Sequence, residues 1–311
     1  MSDHPVHRPP VPLHARRVLV TGASGFIGSH LCRRLVDAGA VVHGVSRSAR
    51  PQGASASHWW TIDLAEPDAC DALVRTVEPD VILHLAGHVT GSRGLDAVAP
   101  TLRANLVVTV DLLTAAAVHG VRRIVLTGSL EEPGPHDRAP SSPYAAAKWA
   151  GSAYARMLHD LHALPVVILR VFMVYGPAQR DTLKLVPYVI RSLLRGVSPE
   201  LSDGRRPVDW IYVDDVVAAF AAAAVAPDID GATIDVGTGR LTTIRDVVEQ
   251  LARLVDPAVP LQFGARPNRA GERVAAADAA QAELLLGWRA ATGLRDGLQR
   301  TVDWYRLALP G

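Results

Sequence analysis

The stretch 18-VLVTGASGFIGSH-30 sets Gly22, Gly25 and Gly28 at every third position directly after an apolar run. Residues 17–21 read as a buried strand, and the following "GSHLCRRLVDAG" reads as an amphipathic helix. The glycines therefore occupy a strand-to-helix turn, where the first helical N–H groups point outward and form an anion site. Glycine permits φ > 0 there and lets a pyrophosphate approach without meeting a Cβ. A glycine-rich loop alone is weak support for a ligand, but the strand before it and the helix after it favour a phosphate. The expected cradle is Gly22, Ser24, Gly25, Phe26, Ile27 and Gly28.

Outward from this turn, short apolar runs at 41–46, 59–62, 80–85, 122–128 and 165–172 alternate with helical patterns near 26–38, 67–77, 98–119 and 143–163. Such alternation predicts an α/β protein with a doubly wound parallel sheet, a Rossmann fold, binding its ligands at the carboxyl ends of the strands. Residues 16–175 are expected to form this domain. From 176 the texture changes to proline and glycine punctuation, as in "YGPAQRD" and "RGVSPELSDGRRP". Residues 176–311 are read mainly as a smaller substrate lobe, with 207–240 returning to the main domain. Residues 1–15, rich in proline and histidine, read as a flexible tail.

Composition narrows the class. The 311 residues carry 32 basic against 31 acidic side chains, which gives no basis for a nucleic-acid partner. Two cysteines far apart, Cys32 and Cys70, exclude a disulfide framework, and no metal site is expected. The run "VVAAFAAAAVA" is too short for a membrane span, and the start lacks the apolar core of a secretion signal. A soluble, cytoplasmic protein is expected.

Two further places carry chemistry. The second strand ends in Ser46 and Arg47, with Arg50 nearby, about 20 residues past the glycines, where a dinucleotide presents its adenosine ribose. A hydroxyl and a guanidinium there suit a 2′-phosphate, so NADP is expected over NAD. Asp63, followed by Leu64, is placed to receive the adenine amino group or to cap a helix. In "SPYAAAKWA", Tyr144 and Lys148 stand four apart on one helical face. A free phenol titrates near pH ~10, and a lysine ammonium beside it is expected to lower that value. Ser129, ending the strand "RIVLTGS", is placed to hold a substrate oxygen beside Tyr144.

Together these residues resemble the extended short-chain dehydrogenase/reductase family, especially its nucleotide-sugar epimerases and dehydratases. The resemblance runs from about Arg17 nearly to the end, through "TGASGFIG", "HLAG" at 84–87, Asn105, "PYAAAK", "LRVFMVYGP", "VDWIYVDDVV" and "LLGW". It implies that Leu85, Ala86 and Gly87 line the cofactor, that Lys148 also holds the nicotinamide ribose, and that a nucleotide sugar lies under the C-terminal lobe. His88, Met173, Arg206 and Arg269 become the expected substrate contacts. A homodimer follows too, its alanine-rich helices 98–119 and 143–163 pairing with their twofold mates.

The reaction stays open among three outcomes of one shared step. Epimerases and dehydratases recycle the hydride internally, whereas a 4-ketoreductase consumes external NADPH. Glu131 lies where sugar 4,6-dehydratases carry a glutamate that removes the carbon-5 proton, although Leu130 replaces the acid of one dehydratase branch. Met173 stands where the family usually has asparagine, and Val208 where it usually has arginine, which leaves a non-sugar carbonyl as an alternative substrate. A non-catalytic NADP sensor is the remaining alternative, disfavoured by the intact Ser129, Tyr144 and Lys148. His84 and His88 are read as packing groups beside the cofactor, and Tyr175 and Trp210 as core or pocket wall.

Overall fold

The computed structural model describes residues 13–134, 137, 139–269 and 271–308; of the expected tail, residues 1–12 lie outside the described residues. The chain divides into two compact units. The first comprises Met1–Arg170, Val217–Ile234 and Gln281–Trp288. Its elements open with β1 (Arg17–Thr21), α1 (Phe26–Asp37), β2 (Val41–Ser46), β3 (His58–Thr61), α2 (Ala69–Val77) and β4 (Val81–His84). Then come α3 (Val98–Leu102) and α4 (Val108–Val118), joined by a π-turn at Arg103–Val107, followed by β5 (Arg123–Ser129), α5 (Pro143–His162) and β6 (Val166–Val171).

These strands join a seven-stranded sheet that is completed by β10 (Thr233–Val236), in the order β10-β6-β5-β4-β1-β2-β3. β1 pairs in parallel with both β2 and β4, and β4 with β5. Strands covered on both faces need apolar residues throughout, which is why the runs in the sequence are continuous. Leu19, Val45, Ile82, Ile124 and Ile168 from five strands meet Leu73, Leu112 and Leu158 from the helices in one core. The winding reverses between β1 and β4, the place where open parallel sheets of this kind bind their ligands.

The helical stretch Leu95–Val118 departs from expectation. Its 24 residues are long and apolar enough, by length and composition, to cross a membrane. Here Leu112, Leu113 and Ala116 are buried, with α2 and α5 packed alongside, while Leu95, Val98, Leu102, Val107 and Val118 are exposed. The π-turn inserts an extra residue into the helical spacing, and Asn105 within it is buried.

The second unit comprises Val171–Val216, Asp235–Ala280 and Arg289–Gly311. Within the described residues its small sheet takes the order β11-β9-β7, from β7 (Met173–Tyr175), β9 (Pro207–Tyr212) and β11 (Leu241–Thr243). A pair, β8 (Glu200–Leu201) with β12 (Gln262–Phe263), lies apart from it. Helices α6 (Leu185–Leu194), α8 (Ile244–Val255) and α10 (Leu294–Ala308) pack on one another. The remaining helices are α7 (Val213–Ala223) and α9 (Ala279–Leu286). Asp209, on the central strand, is buried and accepts N–H bonds from Thr238, Gly239 and Ala277 together with the Thr238 hydroxyl. Tyr175 and Trp210 are core residues, donating to the carbonyls of Leu294 and Thr242.

Candidate active site

Gly22 ends β1 with φ +69°, in the left-handed region that favours glycine. A Cβ on it would lie 2.8 Å from the Ala86 nitrogen and 2.9 Å from the Leu85 carbonyl carbon. A Cβ on Gly28 would collide with the Gly22 carbonyl oxygen. The turn is thus packed backbone against backbone, and helix α1 starts at Phe26 with no side-chain cap and no acid in its first turn. Its leading N–H groups are left for an anion. Gly22, Ser24, Gly25, Phe26, Ile27 and Gly28 come together as expected, and this cradle fits a dinucleotide pyrophosphate.

The far end of the cradle needs one correction. Ser46 is buried and shares a 2.6 Å hydrogen bond with the Ser24 hydroxyl, while accepting the Ser48 N–H. Arg47 is exposed. Arg50, expected to help with a phosphate, instead donates to the carbonyls of Ala54 and Ala56, both at 2.8 Å. Asp63 accepts the Ala65 N–H within a local turn and does not cap α2, whose N-cap position is Asp68; Leu64 belongs to the core.

At the reversal point a run of hydrogen bonds fixes the loop 85–88. The Ala86 N–H donates to the Thr21 hydroxyl, which lies 2.8 Å from Nδ1 of His84. Nε2 of His84 lies 3.0 Å from the Thr109 hydroxyl, which donates to the Asn105 carbonyl. Because the Thr109 proton is already committed, Nε2 carries the imidazole proton and Nδ1 accepts from Thr21. Burial holds His84 neutral, its pKa lowered to about 3. Asn105 completes the run, accepting the His88 N–H at 2.7 Å and donating to the His88 carbonyl at 2.9 Å. Leu85, Ala86 and Gly87 are thereby held beside Gly22, and the His88 side chain is exposed. Asn105 entered the sequence reading only as part of a motif; a polar side chain in an otherwise apolar helical pattern was its signal.

The Ser129, Tyr144 and Lys148 side chains meet at the carboxyl end of β5. Ser142 caps α5, accepting the Ala145 N–H, and Pro143 opens the helix. That start sets Tyr144 in the first turn and Lys148 one turn on, both buried. The Lys148 Nζ donates to the Thr127 carbonyl at 2.8 Å, and Tyr144 stands close enough to Ser129 for the two side chains to interact. Ser129 Oγ accepts the Glu131 N–H at 3.1 Å. The expected lowering of the phenol pKa is not met in the chain alone. Burial pushes Tyr144 upward and the Glu131 and Glu132 carboxylates add to this, while the Ser129 side chain opposes it. Lys148 itself is brought down by burial to about 8, with Glu132 acting to keep it charged. Glu132, buried with its Oε1 accepting the Ser129 N–H at 2.8 Å, was missed in the sequence because nothing in "EEP" tells which glutamate turns inward.

Of the expected substrate residues, Met173, Arg206 and Arg269 belong to the second unit. Arg206 and Arg269 both pair with Glu272, at 2.9 Å and 3.9 Å. No group of three or more His, Cys, Asp or Glu side chains among the described residues is arranged to hold a metal.

The sequence model of the NAD dependent epimerase/dehydratase family matches residues 18–237. A UDP-glucose 4-epimerase of Mycolicibacterium smegmatis is 34% identical over 93% of this chain and 98% of its own. A dTDP-glucose 4,6-dehydratase of an Actinoplanes species is 30% identical over the same shares of each. The solved structure of MoeE5 with UDP-glucose and NAD superposes with a TM-score of 0.85 at 32% identity, over 94% of this chain and 99% of MoeE5. Replacing Asn105 by alanine strips the His88 backbone of both partners. Asn105→Ala is expected to stay folded and to bind dinucleotide at least about tenfold more weakly, the equivalent of ~1.4 kcal/mol, as read by fluorescence titration.

Proposed function

The chain belongs to the NAD dependent epimerase/dehydratase family and is an enzyme of the extended short-chain dehydrogenase/reductase type; from that premise we propose an NADP-dependent nucleotide-sugar epimerase/dehydratase that recycles its hydride internally. The observation that carries this reading is the buried set of Ser129, Tyr144 and Lys148 at the end of β5. Ser129 orients the reacting sugar hydroxyl, Tyr144 exchanges its proton, and Lys148 stabilises the phenolate that results. When bound, the oxidised cofactor supplies hydride acceptance and a positive charge. In the chain alone Tyr144 is held as the neutral phenol, so loss of its proton depends on cationic charge that outweighs Glu131 and Glu132. Arg206 and Arg269 offer two guanidiniums to the substrate phosphates in exchange for Glu272.

Glu131 favours the dehydratase branch. Its carboxylate acts on the Tyr144 phenol electrostatically and lies 3.5 Å from the Ser142 hydroxyl, which brings a second proton acceptor into the same site. The NADP preference rests on Arg47 alone, exposed at the end of β2; the relative MoeE5 was solved with NAD. A homodimer through α5 is part of the proposal. Ala115, Ala116, Ala145, Ala147 and Ala155 face the protein's own interior, while Ala146 and Ala150 are half-buried and Ala153 is exposed. Trp149, Met157 and Leu161 add an exposed apolar stripe along α5, at 47%, 39% and 70% exposure.

Mass analysis of a nucleotide-sugar panel incubated with the enzyme tests the reaction. Isomerised or dehydrated product without NADPH consumption is expected; stoichiometric consumption would assign a 4-ketoreductase. Tyr144→Phe should bind dinucleotide yet turn over roughly 10²–10⁴-fold more slowly. Glu131→Gln should oxidise the sugar without eliminating water, so that absorbance of reduced cofactor builds up. Titration of both dinucleotides should show NADP binding more tightly, with Arg47→Ala losing about tenfold or more for NADP alone; equal wild-type affinities end that claim. Sedimentation at micromolar concentration should show a dimer that Leu161→Glu dissociates, and a monomer in the wild type would refute it.

A further inference from the structure

The register of β4 with β5 ends at the pair His84–Leu126, and beyond it β4 gives way to the loop 85–88. The Thr127 carbonyl and the Ser129 N–H lie two residues apart on β5, so they point to the same side of that strand. Among the described residues, β4 has no residue opposite them. Lys148 takes the carbonyl at 2.8 Å and Glu132 takes the N–H at 2.8 Å. Between them Gly128 makes room, since a Cβ on it would lie 2.7 Å from Glu132 Oε1. A cation and an anion, both buried, thus close the catalytic end of β5.

We infer that Glu132 is a positioning residue: it anchors the Ser129 end of β5 and is the buried counter-ion of the Lys148 ammonium. The inference rests on the role given above to Ser129, Tyr144 and Lys148. An isolated buried carboxylate is driven to its neutral form, and burial does raise the pKa of Glu132; the Ser129 N–H, Lys148 and Arg170 oppose that shift. The Ser152 hydroxyl also favours the charge, although it lacks a hydrogen bond of ordinary geometry. The other charged or titratable neighbours do not replace Glu132 as counter-ion. His84 on β4 is neutral, Tyr144 on α5 is a phenol, Arg170 on β6 is itself a cation, and Glu131 acts on Tyr144. Lys148 is one of only two lysines among the 32 basic residues, the other being Lys184.

That scarcity makes a direct test simple, because protein labelled with 13Cε-lysine gives two resonances and Lys184 serves as internal reference. Lys148 should titrate near 8 in the wild type. In Glu132→Gln, whose amide still accepts the Ser129 N–H, its midpoint should fall by roughly one to three units, the usual effect of losing a close opposite charge. Glu132→Asp should restore most of the shift. A midpoint in folded Glu132→Gln within about 0.3 units of wild type would overturn the counter-ion role, since an opposite charge at this range moves a pKa by more. If Glu132→Gln does not fold, the reciprocal measurement decides. In Lys148→Met, the 13Cδ midpoint of Glu132 should rise by a comparable amount, and an unmoved midpoint refutes the inference. Neither readout needs substrate, so failure here leaves the proton-transfer reading of Tyr144 standing, while full activity in Tyr144→Phe would sink that reading alone.

Discussion

The carboxyl edge of the main sheet depends on one buried run of hydrogen bonds, from Ala86 through Thr21, His84 and Thr109 to Asn105. It joins the ends of β1 and β4 to the π-turn of the long helix, and Asn105 returns the connection to the loop at His88. Without it the Leu85–Ala86 peptide would not be held against Gly22, and the phosphate cradle would lose one wall. The run has a single consistent set of donors, and a neutral His84 is part of it. Folding lowers the His84 pKa from 6.5 to about 3, so its contribution is complete above 6.5 and declines as pH falls toward 3. The sheet edge is therefore built for neutral solution.

The glycine turn was legible in the sequence because its constraints are backbone constraints. A turn that tolerates no Cβ must be glycine, and glycines at a fixed spacing after an apolar run are visible in one dimension. The strand and helix boundaries followed for the same reason, within two residues for β1, α1, β2 and α5. The π-turn was hidden, since apolar periodicity registers a helix but not one extra residue in its ladder. Its product, the inward Asn105, depends on that extra residue.

Where side-chain environment decides the chemistry, the sequence was a poorer guide. Spacing placed Lys148 beside Tyr144, but not the depth of burial, which raises the phenol pKa where proximity to a cation had implied a fall. Arg50 looked free to meet a phosphate until the carbonyls of Ala54 and Ala56 claimed it. The alanines of α5 looked like one contact surface, yet helical phase turns Ala145, Ala147 and Ala155 inward, leaves Ala146 and Ala150 half-buried and exposes Ala153. In each case a residue's type was known and its partners, distant in sequence or set by rotation of a helix, were not. Glu272, which joins Arg206 and Arg269, belongs with these.

The choice of lysine at 148 follows from the same balance of burial and charge. This chain meets nearly every other need for a cation with arginine, whose guanidinium stays protonated in proteins and presents five donors in a fixed fork. At the end of β5 the described acceptors are few: the Thr127 carbonyl is one, and a fork there would leave donors unsatisfied beneath the protein surface. An ammonium is a compact charge that one carbonyl, one nearby carboxylate and a ligand oxygen can satisfy. Its charge is also adjustable. Burial brings it down to about 8 and Glu132 works against the fall, so the charge persists at neutral pH by a modest margin. On the role proposed for Tyr144, a site that stabilises a phenolate in one step and a phenol in the next gains from a charge poised in this way.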